Sequence, residues 1–308
     1  MTTVAIVGFG EVGRCYAEAF AANGIAIAGI AEPRLSGVGD ELARKLSLAV
    51  HGDIGPWIGE PDVVLSAVSG GAALSVAKSC AAHMHAGSCL ADLSTATPEA
   101  MREAAAVAAH AGIGFIDVAI MGGITLGGAR TPLLCAGSGM EPFVALMRSL
   151  GAPVRIVQDG KAGDAVRLKL LRSIFAKGME GLAVECLVLA ESMGLRKQLY
   201  DNLADINEAD LSAFLDMLVR THVIHAARRL HEVENASRQL REAGFDSLVT
   251  DGVAALFKRS VEGLAGFTPS PDVTVLQALD ALARTARIPA TAETSSFEVP
   301  MTPARSKA

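Results

Sequence analysis

Short apolar runs bounded by glycine or proline alternate with amphipathic stretches through the first half of the chain, and the alternation stops near residue 163. Val4–Val7 is a β-branched run ending at Gly8, and helical spacing of apolar residues starts at about Val12. Ile25–Ile30 follows Gly24, and Val63–Val68 lies between Pro61-Asp62 and Ser69-Gly70-Gly71. Ser88–Leu93 precedes Thr97-Pro98-Glu99, a cap and first-turn proline that open another helix. Gly114–Val118, Pro132–Ala136 and Val154–Val157 add three strands. Strands and helices alternating at this spacing predict a parallel, doubly wound α/β sheet. Beyond residue 163 the periodicity is helical throughout. One stretch covers 164–193, longer than an ordinary globular helix, and others cover 196–205, 209–242, 246–259 and 271–287. The expected organisation is a sheet domain over 1–160 and an all-α domain over 161–288 for substrate and dimerisation. The Thr/Ser/Pro/Ala-rich tail 289–308 is predicted to be disordered.

Composition narrows the class. The 308 residues suffice for two domains, and 51% hydrophobic with only 4% aromatic residues means a core of Ala, Leu and Val. A net charge of −6 argues against a partner that is nucleic acid or an acidic membrane surface. No apolar run reaches the roughly 18 residues that span a bilayer. The first residues enter a strand directly, without the basic flank of a signal peptide, so a cytoplasmic protein is expected. Cys15, Cys80, Cys89, Cys135 and Cys186 are odd in number and scattered. They read as reduced thiols and core fillers, with no metal site.

The first candidate chemistry is Gly8-Phe9-Gly10-Glu11-Val12-Gly13, set between a strand and a helix. Gly8 permits the tight turn, Gly10 lets the backbone approach a pyrophosphate, and Gly13 lets the helix pack close to the sheet. The helix N-terminus then favours the anion. This makes the first domain a Rossmann-type dinucleotide site. Glu32, 24 residues after Gly8 at the end of the second strand, is placed to bind a ribose 2′-hydroxyl. Arg34 offers a cation to the 2′-phosphate of NADP. Glu32 would repel that phosphate, which tilts the choice of NAD or NADP slightly to NAD. Ser69, in the turn after the 63–68 strand, joins the cofactor candidates.

The second is Lys169 in GKAGDAVRLKLLRSIF, a lysine on an otherwise apolar helix just past Gly160 and Gly163. Burial of a lysine lowers its pKa toward the range useful for proton transfer. Positions 169, 172, 173 and 176 share one helical face, which puts Arg172 and Ser173 beside the amine. Arg172 would hold Lys169 partly deprotonated and bind an anionic group in bidentate fashion. Ser94 and Thr95 would orient the nicotinamide or a carbonyl oxygen, and Gly122 and Gly123 would offer N–H groups to a substrate anion. The run Arg220, His222, His225, Arg228, Arg229 and His231 reads either as a solvated helix face pairing with Glu232 and Glu234 or as a lid over substrate or cofactor phosphates.

These residues resemble four motifs of the β-hydroxyacid dehydrogenase family, which includes 6-phosphogluconate and 3-hydroxyisobutyrate dehydrogenases. Gly8, Gly10 and Gly13 match its fingerprint, and Asp92-Leu93-Ser94-Thr95 its segment beside the nicotinamide. Asp117 through Met121-Gly122-Gly123 resembles its substrate stretch, and Gly160, Gly163 and Lys169 its lysine motif. The second half is similar to a branch with a phosphogluconate-dehydrogenase-like C-terminal domain. The resemblance implies an NAD(P)-dependent dehydrogenase acting on CH–OH of a small anionic hydroxy acid, with Lys169 as acid/base. The long 164–193 stretch with its Ala/Gly/Leu face suggests a homodimer packed through the helical domain. Departures are Met121 for the usual serine, Ser173 for asparagine, Ala176 for the glutamate of 6-phosphogluconate dehydrogenases, and His231 for a lysine near the cofactor lid. Imine reductases share the architecture but normally lack the lysine. A non-catalytic dinucleotide sensor is the remaining alternative.

Overall fold

A computed structural model describes residues 2–287, so the expected disorder of 289–308 lies outside the described residues. Eight strands form one sheet in the order β3-β2-β1-β4-β5-β6-β7-β8. These are β1 (Val4–Val7), β2 (Ile27–Ala31), β3 (Val50–His51), β4 (Val63–Ser66), β5 (Cys89–Asp92), β6 (Gly114–Ile120), β7 (Leu133–Gly137) and β8 (Val154–Ile156). Helices α1 (Glu11–Ala22), α2 (Val38–Lys45), α3 (Ala73–Ala81) and α4 (Pro98–His110) connect the first six strands, and a short α5 (Ile124–Gly127) and α6 (Glu141–Ser149) follow. The order reverses between β1 and β4, the crevice where open α/β sheets bind ligands.

Side chains alternate between the two faces. Ala91, Ile116 and Val118 belong to a core with Tyr16, Phe20 and Phe143, while Leu90 and Phe115 belong to one with Ala77, Met101, Ala104 and Val166. Tyr16, Phe20 and Phe143 are fully buried. Each such burial contributes roughly 1.5–3 kcal/mol, which clamps α1 and α6 to the sheet.

The expected doubly wound sheet is present with one difference: β6 and β7 pair antiparallel, from Ile116↔Gly137 to Ile120↔Leu133. The connection between them holds only α5 and a single 3₁₀ turn, too little for a parallel crossover. The second strand starts at Ile27, because the Ile25 amide closes the end of α1 on the Phe20 carbonyl at 2.9 Å. β3 was not anticipated, since two residues carry no periodicity.

After β8, α7 runs from Asp164 to Ser192, followed by α8 (Arg196–Asn202), α9 (Ala204–Glu208), α10 (Leu211–Glu242), α11 (Leu248–Gly263) and α12 (Val275–Ala286). The chain divides into two compact units at Ala176/Lys177, within α7. In the second unit Glu185 accepts hydrogen bonds from the Val249 and Thr250 amides at the start of α11, both at 2.9 Å. A Thr274/Gln277 capping box opens α12. No described helix is long and apolar enough to cross a membrane.

Candidate active site

The glycine turn is built by close backbone contact. Gly8 has φ +90°, and a Cβ there would stand 2.6 Å from the Ala67 carbonyl oxygen of the neighbouring strand end. A Cβ on Gly13 would stand 2.1 Å from the Gly8 carbonyl oxygen, so the first turn of α1 lies directly against the turn. Gly10 has nothing within 4 Å of that position. It faces open space, as the approach of a pyrophosphate to the backbone requires. Glu32 fixes the turn from the side: one carboxylate oxygen accepts from the Phe9 amide at 2.9 Å, the other from the Arg34 amide at 3.2 Å.

Gly8, Gly10, Glu32, Arg34 and Ser69 line one groove of about 730 Å³ at the β1/β4 crevice. Phe9 contributes its backbone only, its ring being part of the core. Glu11 is an exposed residue of the first turn of α1. Sequence reasoning missed Asp53 after β3, and Ser75 and Ser79 on α3, which also line the groove. The spacing of Ser75 and Ser79, one turn apart directly after Gly70-Gly71, was the available signal. The glycine cradle, the open position at Gly10 and the pinned carboxylate fit a dinucleotide.

A second cavity of about 390 Å³ gathers Val12, Thr95, Met121, Gly122, Lys169, Arg172 and Ser173. Residues 74 positions apart thus meet, and the Lys169 amine donates to the Thr95 hydroxyl at 3.3 Å. Burial holds Lys169 below its ordinary pKa, while the charge of Asp117 opposes the shift. The sequence reading expected burial and the Arg172 charge to lower it together. Burial is the cause found, and Arg172 is exposed and not among the causes.

Two sequence candidates stand aside from this cavity. Gly123 is the exposed residue before α5, and Ser94 is buried with its hydroxyl lacking a hydrogen-bond partner among the described residues. His231 belongs to the second unit, where it pairs with Glu234 at 3.4 Å while Arg228 pairs with Glu232. Both contacts lie on an exposed helix face. His222 and Arg229 from the same run line a separate, largely apolar cavity of about 520 Å³ among α10, α11 and α12.

Sequence reasoning treated Asp92 and Asp117 only as parts of motifs. Both are buried polar anchors. Asp92 accepts from the Ser66 hydroxyl at 3.0 Å and the Ser94 amide at 2.9 Å. Asp117 accepts from the Gly163 and Val166 amides at 2.9 and 3.1 Å. A lone carboxylate in an otherwise apolar strand was the signal.

A glycine cradle at the switch point of a doubly wound sheet defines a dinucleotide-binding protein. Residues 3–152 match the NAD binding domain of 6-phosphogluconate dehydrogenase, and residues 190–260 match a domain of unknown function, DUF1932. The chain therefore carries an NAD binding domain like that of 6-phosphogluconate dehydrogenase, and the match supports an oxidoreductase using a nicotinamide cofactor. It is 25% identical over 233 residues to an uncharacterised 28.5 kDa protein of Methanothermus fervidus, a match covering 75% of this chain and 87% of that protein. A solved conserved protein of unknown function, described as structurally similar to 3-hydroxyacid dehydrogenases, is 26% identical with a TM-score of 0.59, covering 84% of this chain and 97% of that one. An imine reductase variant from Myxococcus stipitatus, solved with NAD+, has a TM-score of 0.70 at 19% identity, covering 91% of this chain and all of that one. At that identity the likeness is one of fold.

Proposed function

We propose that the protein oxidises a small anionic hydroxy acid, or reduces its oxo form, with Lys169 as general acid/base. The observation that carries this reading is a half-buried lysine with a lowered pKa, hydrogen-bonded to Thr95 in a cavity with Arg172, Ser173 and the Gly122 backbone. A bound nicotinamide would supply the hydride acceptor in oxidation and the hydride donor in reduction. Gly8, Gly10 and the N-terminus of α1 would hold the pyrophosphate, and Glu32 the ribose 2′-hydroxyl, which favours NAD over NADP. In oxidation the neutral Lys169 amine accepts the hydroxyl proton; in reduction its ammonium form donates one to the carbonyl oxygen. Thr95 orients the amine, and Arg172 binds the substrate anion from the exposed side.

Met121 puts a thioether where a hydroxyl would otherwise hold a carboxylate, so the cavity favours a substrate with an apolar portion near that wall. Residues 1–160 are assigned to the cofactor and 161–288 to substrate and dimer formation. Exposed apolar side chains along α7, among them Leu171, Ile174 and Val184, support a homodimer.

The test is a panel of 2- and 3-hydroxy acids and cyclic imines, assayed with NAD and NADP in parallel by nicotinamide absorbance. Turnover of a hydroxy acid that falls by about 10²–10⁴-fold in Lys169→Ala, with cofactor binding retained, supports the proposal. Turnover of imines alone, or turnover unaffected by the substitution, overturns it.

A further inference from the structure

A buried polar row crosses the sheet from the last residues of β4 and β5 to the middle of β6. Ser66, Asp92 and Asp117 are in-register neighbours on these parallel strands, on the same face as Leu90 and Phe115. All three are at most 1% exposed. Apolar residues would make a more stable sheet here, because burying carboxylates is costly even when they are hydrogen-bonded. Burial pushes both acids above the ordinary aspartate value, and the charge of Asp92 pushes Asp117 further. Neither acid lines the two cavities described above.

Their hydrogen bonds show where that cost is returned. Through the Ser94 amide, Asp92 shapes the turn that carries Thr95. Through the Gly163 and Val166 amides, Asp117 docks the first turn of α7 onto the sheet, and Lys169 lies three residues beyond Val166 on that helix. The two segments meet again at the Lys169–Thr95 hydrogen bond. A closed circuit results: the row Asp92–Asp117 at its base, the two backbone anchors as its sides, and the amine–hydroxyl contact at its top.

We infer that Asp92 and Asp117 are positioning residues that set the Lys169–Thr95 contact, with the Asp117 carboxylate also acting on the amine from the base of α7. Arg172, one turn further along α7, is the other charged side chain lining the cavity. The inference deepens the reading of Lys169 as acid/base and rests on it, so its test reads the amine directly rather than through turnover.

The experiment is competitive acylation of the full-length protein across a pH series. Labelling at Lys169 is followed by peptide mass spectrometry in wild type, Asp117→Asn and Asp117→Ala. Asparagine keeps an oxygen acceptor for the two amides and removes the charge. The labelling midpoint of Lys169 should therefore move to lower pH, since Asp117 is the group that opposes the effect of burial. Alanine removes the anchor as well, so the amine becomes more exposed and its midpoint should move upward, toward that of an ordinary lysine. Opposite signs in the two variants are the signature of the proposed double role.

An Asp117→Asn midpoint equal to wild type, or one that rises as for alanine, would overturn the inference. If Asp117→Ala does not fold, the asparagine variant alone decides. Hydrogen exchange tests the other half: Asp92→Ala should speed exchange over residues 93–96 by about tenfold or more, the loss of roughly one protecting hydrogen bond. Unchanged exchange there would remove Asp92 from the proposal. Should Lys169→Ala keep full turnover, the acid/base reading fails while these labelling and exchange results stand separately.

Discussion

Two single-methyl substitutions in the glycine turn, Gly10→Ala and Gly13→Ala, should separate folding from cofactor binding. At Gly13 the added carbon would sit 2.1 Å from the Gly8 carbonyl oxygen, against a limit of 3.0 Å that real Cβ atoms essentially never pass, a shortfall of 0.9 Å. The obstacle is backbone on one side and the first turn of α1 on the other, so nothing flexible can yield. Relief requires α1 to lift from the sheet, loosening Tyr16, Ala17 and Phe20, all fully buried. Overpacking of this kind costs about 1–3 kcal/mol. For a domain of this size that is a fall in Tm of roughly 2–12 °C. At Gly10 the methyl meets nothing within 4 Å and the backbone is not left-handed, so Tm should stay within about 1 °C. The same methyl would project toward the pyrophosphate, and a comparable steric penalty weakens NADH binding by roughly 5–150-fold. Thermal unfolding and NADH fluorescence titration on both variants provide the readout. A Gly10→Ala protein that binds NADH like wild type would refute the placement of the cofactor. A Gly13→Ala protein with unchanged Tm would refute the close-approach argument.

Three further outcomes follow from the same geometry. Burial lowers Lys169 from 10.5, so its neutral form appears at lower pH than in an ordinary lysine; oxidation should rise with pH through that lowered value, reduction should fall through it, and Lys169→Arg should abolish the limb in both pH–rate profiles. Glu32→Gln removes the charge opposed to a 2′-phosphate while keeping an acceptor for the Phe9 amide, so NADP should gain on NAD by roughly tenfold in Kd ratio, as measured by titration; an unchanged ratio would show that Glu32 does not face the ribose. His222 is held below 6.5 by burial and then by Arg229; the folded state therefore binds fewer protons than the unfolded one, and stability is lost as pH falls through 6.5 toward the folded value. In His222→Phe the drop in Tm between about pH 7.5 and about pH 5.5 should be smaller than in wild type, and an equal drop would count against this account.

Much of the fold was legible because it depends on local periodicity. Seven of the eight strands and the long helices carry their apolar spacing in consecutive residues, and Thr97-Pro98 opens α4 with its own cap, the Thr97 hydroxyl accepting from the Ala100 amide. The glycine turn was legible because its spacing is local and Gly13 answers to Gly8 five residues away, although Gly8 itself lies against Ala67 of a neighbouring strand. The antiparallel turn of β7 was not, since what decides it is the shortness of the 121–132 connection and not any residue in the strand. Lys169 drew notice as a cation out of place, yet its partner could not be read from its neighbours.

The sequence by itself determined the elements, their order and the residue types available for chemistry: a cradle of glycines, a carboxylate at the end of β2 and a lysine on an apolar helix. The tertiary structure decided which of these meet. It placed Thr95 beside Lys169 across 74 residues and left Gly123 outside their cavity. It also made Asp117, and not Arg172, the charge that acts on the buried amine. The physical reason is range. Helix, strand and turn preferences act over a few residues and are written in them, whereas burial and charge–charge distance are properties of the packed sheet.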